Sequence, residues 1–185
     1  DEKFLFSIDQ IITNQSEKSY DFYAYGQIIR NKSPEVTNFY ILHEGLIGVL
    51  NDQLVEKDYD DIEEKEFSQK ADTGWLGITD KYWVTAIVPP KDKNFKSTFL
   101  YKDNYRANYI LNSPVTINPK STSGNDVRLF VAAKEVETID SYAENQKIKK
   151  FDLVIDWGWF YFFTKPLFFV IDYLFKISGN FGTAI

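Results

Sequence analysis

The chain has 185 residues, with 21 Lys and Arg against 27 Asp and Glu, one His and no Cys. That length is enough for a single domain with a real hydrophobic core. The lack of Cys excludes disulfides and thiolate sites, and one His makes a zinc site or a Ser–His–Asp triad hard to build. The net charge of -6 argues against general binding of nucleic acid, which needs a basic face. We therefore expect no catalytic residue, no metal site, no small-molecule cofactor and no nucleic-acid partner.

The first part of the sequence is rich in short segments typical of β-strands. The segment from Phe4 to Ile12 alternates apolar and polar residues, and a polar loop leads from it into a second strand over residues 20–30. A short loop between two strands favours antiparallel pairing of the two. Residues 38–50 are a further apolar, β-rich stretch. The acidic run 56–66 is expected to be a solvated connection, because it lacks the spacing of a calcium-binding loop.

Further strands are expected along the rest of this region, at intervals of about ten residues. Their predicted ranges are 75–79, 82–88, 99–111, 115–117 and 127–133. Many short strands with no helices between them favour a mainly β fold, an antiparallel β-sandwich with short C-terminal amphipathic helices, over an α/β fold. We assign the sandwich to residues 1–134. Within it, core packing is favoured over a binding groove for Trp75, Tyr82 and Trp83.

The pattern becomes helical after residue 134. Apolar residues at helical spacing predict a short amphipathic helix that ends near residue 145, and they are Val136, Ile139, Tyr142 and Ala143. A basic linker follows, and helix and linker together occupy residues 135–150. The lysines of this linker, Lys147, Lys149 and Lys150, would suit anionic lipid headgroups.

The C-terminal part of the chain is dominated by aromatic side chains. Ten of the nineteen residues over 157–175 are Trp, Tyr or Phe, and no apolar run reaches the ~20 residues that a membrane-spanning helix needs. On a helix with about 100° per residue, Lys165, Asp172 and Lys176 fall within about 40° of one another and form one polar stripe. Pro166 is expected in the first turn of this helix.

A helix that is apolar around most of its circumference must bury that surface in protein or in lipid, and composition leaves both possibilities open. In the first case the helix packs on the sandwich. In the second, the segment 151–178 lies in the headgroup region of a membrane, with aromatic side chains at the interface and charges toward water. The interfacial side chains would be Trp157, Trp159, Phe160, Phe162, Phe163, Phe168, Phe169, Tyr173 and Phe175.

This tail also carries a specific motif. Its residues are Asp156, Trp157, Gly158 and Trp159, then Pro166, Leu167 and Phe168, then Gly179, Asn180, Phe181 and Gly182. In these residues the chain resembles the YidC family of membrane protein insertases, at the junction between the periplasmic domain and the membrane region. In that family Asp-Tyr/Trp-Gly-Trp opens an interfacial helix, and Gly-Asn-Trp/Phe-Gly begins a transmembrane helix. Residues 74–83 resemble another stretch of the same periplasmic domain.

The resemblance implies a periplasmic β-supersandwich, attached to the bacterial inner membrane, that helps membrane proteins insert and fold alone or beside the Sec translocon. Its partners would be nascent membrane proteins, Sec translocon components and the membrane surface. An interfacial helix would lie within residues 151–178, and a transmembrane helix would begin at 179–185. The chain would start inside the sandwich, which would leave unpaired strand edges and exposed apolar surface.

Two other functions remain to be weighed. One is a carbohydrate- or peptide-binding β-sandwich module with exposed aromatic side chains in a groove. The other is an enzyme, which would need a paired acid and base such as His43 with Glu44. A single His on an apolar strand is more often a hydrogen-bonded structural residue, and a shared fold does not confer a function. We therefore expect no enzymatic activity.

Overall fold

Antiparallel β-strands dominate this computed structural model, which describes residues 4–34, 42–158 and 160–185. The strands are β1 (Leu5–Thr13), β2 (Tyr20–Phe22), β3 (Tyr25–Arg30), β4 (Gly45–Leu50), β5 (Gln53–Asp58), β6 (Phe67–Ala71), β7 (Gly74–Thr79), β8 (Trp83–Val88), β9 (Phe95–Tyr101), β10 (Tyr105–Leu111), β11 (Val115–Ile117) and β12 (Thr122–Ala133). The helices are α1 (Tyr59–Glu64), α2 (Val136–Asn145), α3 (Tyr161–Ser178) and α4 (Phe181–Ala184), with a 3₁₀ turn at Phe151–Val154.

Two larger sheets enclose the first hydrophobic core. One sheet has six strands in the order β1-β12-β8-β7-β4-β5, and the other has four in the order β3-β10-β9-β6, while β2 pairs with β11. Between them Leu76 and Ile87 of the six-stranded sheet pack with Phe99 and Tyr109 of the four-stranded sheet. Alternation along each strand sends these side chains inward. This sandwich-like arrangement confirms the predicted fold class.

A second core covers the outer face of the six-stranded sheet. The helix α2 has the predicted position, and its Ile139 is buried there together with Phe151 and Val154 of the 3₁₀ turn. The ring of Phe151 makes edge-on contacts with Trp75 at 5.2 Å and with Phe130 at 4.9 Å between ring centroids. The body of the protein therefore includes α2 and the 3₁₀ turn as well as the sandwich.

The predicted pairing of the N-terminal strand with residues 20–30 is wrong. β1 pairs with β12 over its whole length, and residues 20–30 divide into β2 and β3, which belong to different sheets. The side-chain amide of Asn14 donates to the carbonyl oxygens of Lys18, Ile117 and Asn118. These bonds tie the loop after β1 to the end of β11, so the loop does not close a local hairpin.

The acidic run is also more ordered than predicted. It contains the end of β5 and the helix α1, in which Tyr59 and Ile62 are buried. These two side chains are three residues apart and so share one face of the helix. A helix within the sandwich was not expected. The predicted strand 99–111 is likewise a hairpin of β9 and β10, and its turn includes Asp103 with a positive φ of 61°.

The first strand lies at the edge of the six-stranded sheet. Its Phe6, Ile8 and Ile11 are exposed, although Leu5 in the same strand is buried in the second core. Apolar surface is therefore exposed along this edge, as expected from the sequence.

Candidate functional site

The aromatic tail leaves the body at one end of the sandwich, which we call the tail end. At this end β12 finishes beside Trp83, and the Lys134 N–H donates to the Tyr82 carbonyl oxygen at 2.8 Å just before α2 starts. The chain then runs along α2 to the opposite end, where the indole N–H of Trp75 donates to the Lys149 carbonyl oxygen at 3.1 Å. The 3₁₀ turn brings it back to His43 at the tail end.

Two of the three lysines of the basic linker contact the body of the protein. Lys149 Nζ lies 3.5 Å from Asp52 Oδ2, and Lys150 Nζ donates to the Asp52 carbonyl oxygen at 2.6 Å. Asp52 belongs to the turn between β4 and β5, opposite the tail end. Lys149 and Lys150 therefore contact the body, and they do so away from the point where the tail leaves it.

Asp156 fixes the direction in which the tail leaves. Its Oδ2 accepts the backbone N–H of His43 at 3.0 Å, and its Oδ1 accepts the N–H of Gly158 at 2.7 Å. Gly158 has a φ of 71°, a left-handed conformation that favours glycine. The carboxylate thus joins body and tail, and the glycine permits the left-handed backbone conformation at this point. This explains the Asp-x-Gly part of the tail motif in physical terms.

His43 has the structural role that was predicted, although it precedes β4 and is not part of a strand. Its Nδ1 lies 3.1 Å from Asp58 Oδ1, and its Nε2 lies 3.2 Å from the Leu46 carbonyl oxygen. Both ring nitrogens are therefore engaged within the protein. Among the described residues, no cluster of three or more His, Asp or Glu side chains could hold a metal ion.

The long helix α3 starts earlier than predicted. It has 18 residues from Tyr161, so Pro166 lies inside it and not in its first turn. A proline there removes one backbone hydrogen bond, the one to the carbonyl oxygen four residues before it. The hydroxyl of Thr164 donates to the carbonyl oxygen of Trp157 at 2.8 Å and stabilises the beginning of the helix. The helix ends at Gly179, which has a φ of 65°.

The polar stripe of α3 faces the body. Lys165 Nζ lies 2.9 Å from Asp140 Oδ1 of α2 and 3.6 Å from Asp152 Oδ2 of the 3₁₀ turn. Lys176 Nζ lies 2.5 Å from Glu137 Oε1 of α2. Asp172 pairs with Lys176 within α3. The sequence suggested that these charges point to water, but the two lysines also connect α3 to the body.

The local environment keeps both lysines charged. Partial burial lowers the pKa of Lys165, but the hydrogen bonds and charges of Asp140 and Asp152 leave it above its ordinary value. Hydrogen bonds to Asp172 and Glu137 raise the pKa of Lys176 above its ordinary value. Both lysines are therefore charged over the whole neutral range.

The side of α3 that is turned away from α2 is apolar and exposed. No residue of α3 is buried. At about 100° per residue, Phe163, Val170 and Leu174 lie within about 40° of the point opposite the stripe, and Phe163 is 69% exposed. We call the exposed residues on this side the outer face of α3, and they are Phe163, Leu167, Val170, Leu174 and Ile177.

The predicted interfacial residues occupy three different places. Phe168 and Phe169 flank the polar stripe, within about 60° of its centre, and the ring of Phe168 packs edge-on against Trp157 at 5.6 Å. Trp157 itself is partly buried, with Lys165 Nζ 5.9 Å from its ring centroid. Trp159 lies outside the described residues. Phe168 and Phe169 are nevertheless exposed, and so are the other predicted aromatic residues, which are Phe160, Phe162, Phe163, Tyr173 and Phe175.

The end of the chain forms the four-residue helix α4. The side chain of Asn180 accepts the N–H of Gly182 at 2.9 Å and caps this helix. Phe181 packs edge-on against Phe175 with 6.2 Å between the ring centroids. Within the described ranges, no helix is both long enough and apolar enough to cross a membrane.

Sequence inspection missed the acidic partners of the stripe. Glu137 and Asp140 are three residues apart on α2 and therefore lie on one face of that helix. Asp152 joins them from the 3₁₀ turn. An acidic face on one amphipathic helix and two lysines on the next is a signal of charge complementarity, and it could have indicated that the two helices pack together.

Comparison with known proteins agrees with the motif in the tail. The profile of the YidC periplasmic domain family matches residues 1–170. The protein named Membrane protein insertase YidC of Pelagibacter ubique is 56% identical over 185 residues, and this covers 100% of the chain and 33% of that protein. The protein of the same name from Brucella melitensis is 42% identical over 192 residues, covering 100% of the chain and 32% of that protein.

The chain thus spans about a third of the length of the curated relatives it matches. A crystal structure of a putative aldose 1-epimerase from Klebsiella pneumoniae aligns with a TM-score of 0.39 at 14% identity, over 78% of this chain and 47% of that one. A similarity of this size carries no argument about fold or activity. The profile match and the two relatives show that the chain belongs to the YidC family and contains its periplasmic domain.

Proposed function

We propose that this chain is the periplasmic part of a membrane protein insertase at the bacterial inner membrane, and that α3 lies in the headgroup region of the membrane without crossing it. One observation supports this most directly. The lysines of α3 pair with carboxylates of the body, while the outer face of α3 is left exposed. A helix attached in this way presents an apolar surface to whatever lies beyond the body.

The expected energy of insertion is large enough to measure. A fully buried large apolar side chain contributes about 1.5–3 kcal/mol, and the outer face offers five such side chains, Phe163, Leu167, Val170, Leu174 and Ile177. Even partial insertion of these residues should hold the domain at the surface of a vesicle. Tyr161 at the start of α3 and Tyr173 in its second half have the amphipathic rings that are enriched at membrane interfaces.

The same geometry indicates that binding is mainly apolar. Lys165 and Lys176 are paired within the protein, and the linker lysines Lys149 and Lys150 contact Asp52. These four lysines are therefore already engaged within the protein. We expect partitioning to depend weakly on the fraction of anionic lipid and on salt, in contrast to a polybasic membrane anchor.

The test is co-sedimentation of the chain with phosphatidylcholine vesicles that contain phosphatidylglycerol. The double variant Phe163→Glu/Val170→Glu places two charges on the outer face and should abolish sedimentation. The matched control Ser68→Glu/Ser113→Glu adds the same charge at exposed positions of the sandwich and should sediment like the parent chain. Changing Phe168 and Phe169 to Glu should have a smaller effect, because both flank the stripe. Equal sedimentation of the outer-face variant and the control would contradict the proposal.

The role in insertion itself can be tested in a chimera. This chain would replace the matching segment of the Pelagibacter ubique relative, to which it is 56% identical, in cells depleted of their own insertase. We propose that its clients are nascent membrane proteins and that it acts alone or beside the Sec translocon. The outer-face variant should then slow insertion of a reporter membrane protein, while the Ser68/Ser113 control should not. Normal insertion by the outer-face variant would separate membrane contact from the insertase role.

A carbohydrate- or peptide-binding module is not favoured, because the relatives that match the whole chain are named for membrane insertion. We further propose that the chain has no catalytic activity of its own. The arrangement around His43 supports this, since both ring nitrogens contact groups of the protein.

A further inference from the structure

The turn between β7 and β8 presents two exposed aromatic side chains. Tyr82 is 63% exposed and Trp83 is 61% exposed, whereas Trp75 in the preceding strand is fully buried. Core packing was predicted for all three, and the prediction is wrong for Tyr82 and Trp83. The reason is their position: β8 begins at Trp83, so both residues lie at the end of the strand, and Trp83 lines only a shallow pocket with Ile29 and Arg30 of β3.

This turn is held rigidly. The Asp80 N–H donates to the Trp83 carbonyl oxygen at 2.8 Å and closes the turn. The guanidinium of Arg30, from the other sheet, donates to both carboxylate oxygens of Asp80 at 2.6 Å. Lys81 Nζ lies 5.2 Å from the centroid of the Tyr82 ring. A rigid turn loses little conformational entropy when its aromatic side chains bind a surface.

The turn lies between the two points that attach the tail to the body. On one side, Thr79 pairs with Gly45, two residues from His43, whose N–H binds Asp156. On the other side, the Tyr82 carbonyl oxygen accepts the N–H of Lys134, three residues before Glu137, the partner of Lys176. The exposed rings and α3 therefore belong to the same end of the molecule.

We propose that Tyr82 and Trp83 form a second contact with the headgroup region of the bilayer, next to the contact made by α3. This inference rests on the proposed function. Tyr and Trp are the side chains most enriched at membrane interfaces, because they have an apolar ring and a polar group, and Lys81 between Asp80 and Tyr82 adds a cation for the lipid phosphate. Two contacts at one end fix the tilt of the sandwich on the membrane more firmly than one helix that is held to the body by ion pairs.

Tryptophan fluorescence tests this contact directly. In the variant Trp157→Phe/Trp159→Phe, the remaining tryptophans are the buried Trp75 and the exposed Trp83. With vesicles of phosphatidylcholine and phosphatidylglycerol whose acyl chains are brominated, the emission of Trp83 should shift to shorter wavelength and be quenched. Adding Trp83→Phe to the same background leaves Trp75 alone, and its emission should not change when vesicles are added.

Affinity provides the second measurement. Partial burial of the two rings should raise the partition coefficient about tenfold. The variant Tyr82→Ser/Trp83→Ser should therefore lower the partition coefficient about tenfold. Far-ultraviolet circular dichroism and the urea midpoint of this variant should match the parent, since both side chains are exposed. A variant that unfolds is replaced by Trp83→Tyr, which keeps an interfacial ring and should bind nearly as well as the parent.

The outcomes distinguish this inference from the proposed function. If the chain sediments with vesicles but Trp83 is not quenched, the second contact is wrong while membrane binding by α3 stands. If the parent chain does not sediment at all, the proposed function fails, and the second contact fails with it. If Tyr82→Ser/Trp83→Ser impairs insertion by the chimera without any quenching of Trp83, the turn binds a protein partner and the inference of a lipid contact is overturned.

Discussion

The two amphipathic helices of this protein, α2 and α3, bury their apolar faces very differently. The ten-residue α2 buries Val136, Ile139 and Tyr142 against the six-stranded sheet, while the 18-residue α3 buries none of its residues. Both helices have one polar and one apolar face. The difference is that the polar face of α2 receives the lysines of α3, so α3 is attached through its charges and exposes its apolar side.

This difference also implies two different strengths of attachment. The packing of α2 and the 3₁₀ turn removes large apolar side chains from water, whereas α3 is held to α2 by ion pairs near the surface. Ion pairs of this kind contribute about 0–1 kcal/mol each. We therefore expect that α3 separates from the body much more easily than α2 does, and the following predictions test this expectation.

The largest effect is expected from Phe151→Ala. Phe151 is fully buried between Trp75 and Phe130, so its truncation leaves a cavity and should lower the free energy of unfolding by about 3–5 kcal/mol. The matched change Phe163→Ala on the outer face of α3 should cost less than about 0.5 kcal/mol. Urea denaturation followed by circular dichroism measures both. Similar losses for the two variants would show that α3 is packed as tightly as the 3₁₀ turn.

Sequence patterns predicted part of the fold and of the difference between α2 and α3, and they missed the rest. Alternation located most strands, and helical spacing located α2 with its buried residues, because both patterns are local. The pairing of β1 with β12 was missed, since it joins residues more than a hundred positions apart. The orientation of α3 was missed as well. Its polar stripe is visible in the sequence, but Lys165 and Lys176 come close to Asp140 and Glu137 only in the folded chain.

The second largest effect is expected from alkaline pH, which acts on the body. Burial raises the pKa of Tyr109 to about 12, and its hydroxyl has no hydrogen-bond partner among the residues that the structure describes. Because the folded pKa is above the unfolded value, the stabilising contribution is fully present below about pH 10. This contribution is lost as the pH rises through the folded pKa, and the free energy of unfolding should fall by about 3 kcal/mol over that range.

The control for this prediction is Tyr109→Phe. It removes a buried, unpaired hydroxyl and should raise stability at neutral pH by about 1 kcal/mol. Between pH 10 and 12 this variant should lose stability less steeply than the parent. Some loss should remain, because burial and the hydrogen bond to Glu63 also raise the pKa of Tyr105 to about 12. Urea midpoints at several pH values measure both effects. Equal slopes for variant and parent would mean that Tyr109 ionises freely in the folded protein.

A smaller effect is expected from Asp156→Ala, which removes the acceptor of the His43 and Gly158 N–H groups. The loss should be about 1 kcal/mol, and hydrogen exchange at these two amides should become faster. Asp156→Asn keeps one carbonyl oxygen and should retain part of the protection. Unchanged exchange in the alanine variant would show that the direction of the tail does not depend on this carboxylate.

The smallest change in stability, and the most selective test of the comparison, is expected from salt. At 1 M ionic strength the screening length falls to about 3 Å, which weakens the ion pairs of Lys165 and Lys176 with α2 while apolar packing is kept.

The sequence has no Cys, so Glu144→Cys in α2 and Ile177→Cys in α3 provide unique sites for spin labels. Salt should broaden the distance distribution between the labels without lowering the urea midpoint of the body. Lys165→Gln/Lys176→Gln should produce the same broadening at low salt. A narrow, salt-independent distance would mean that contacts other than charge hold α3, since screening acts on the ion pairs and leaves buried apolar contacts in place.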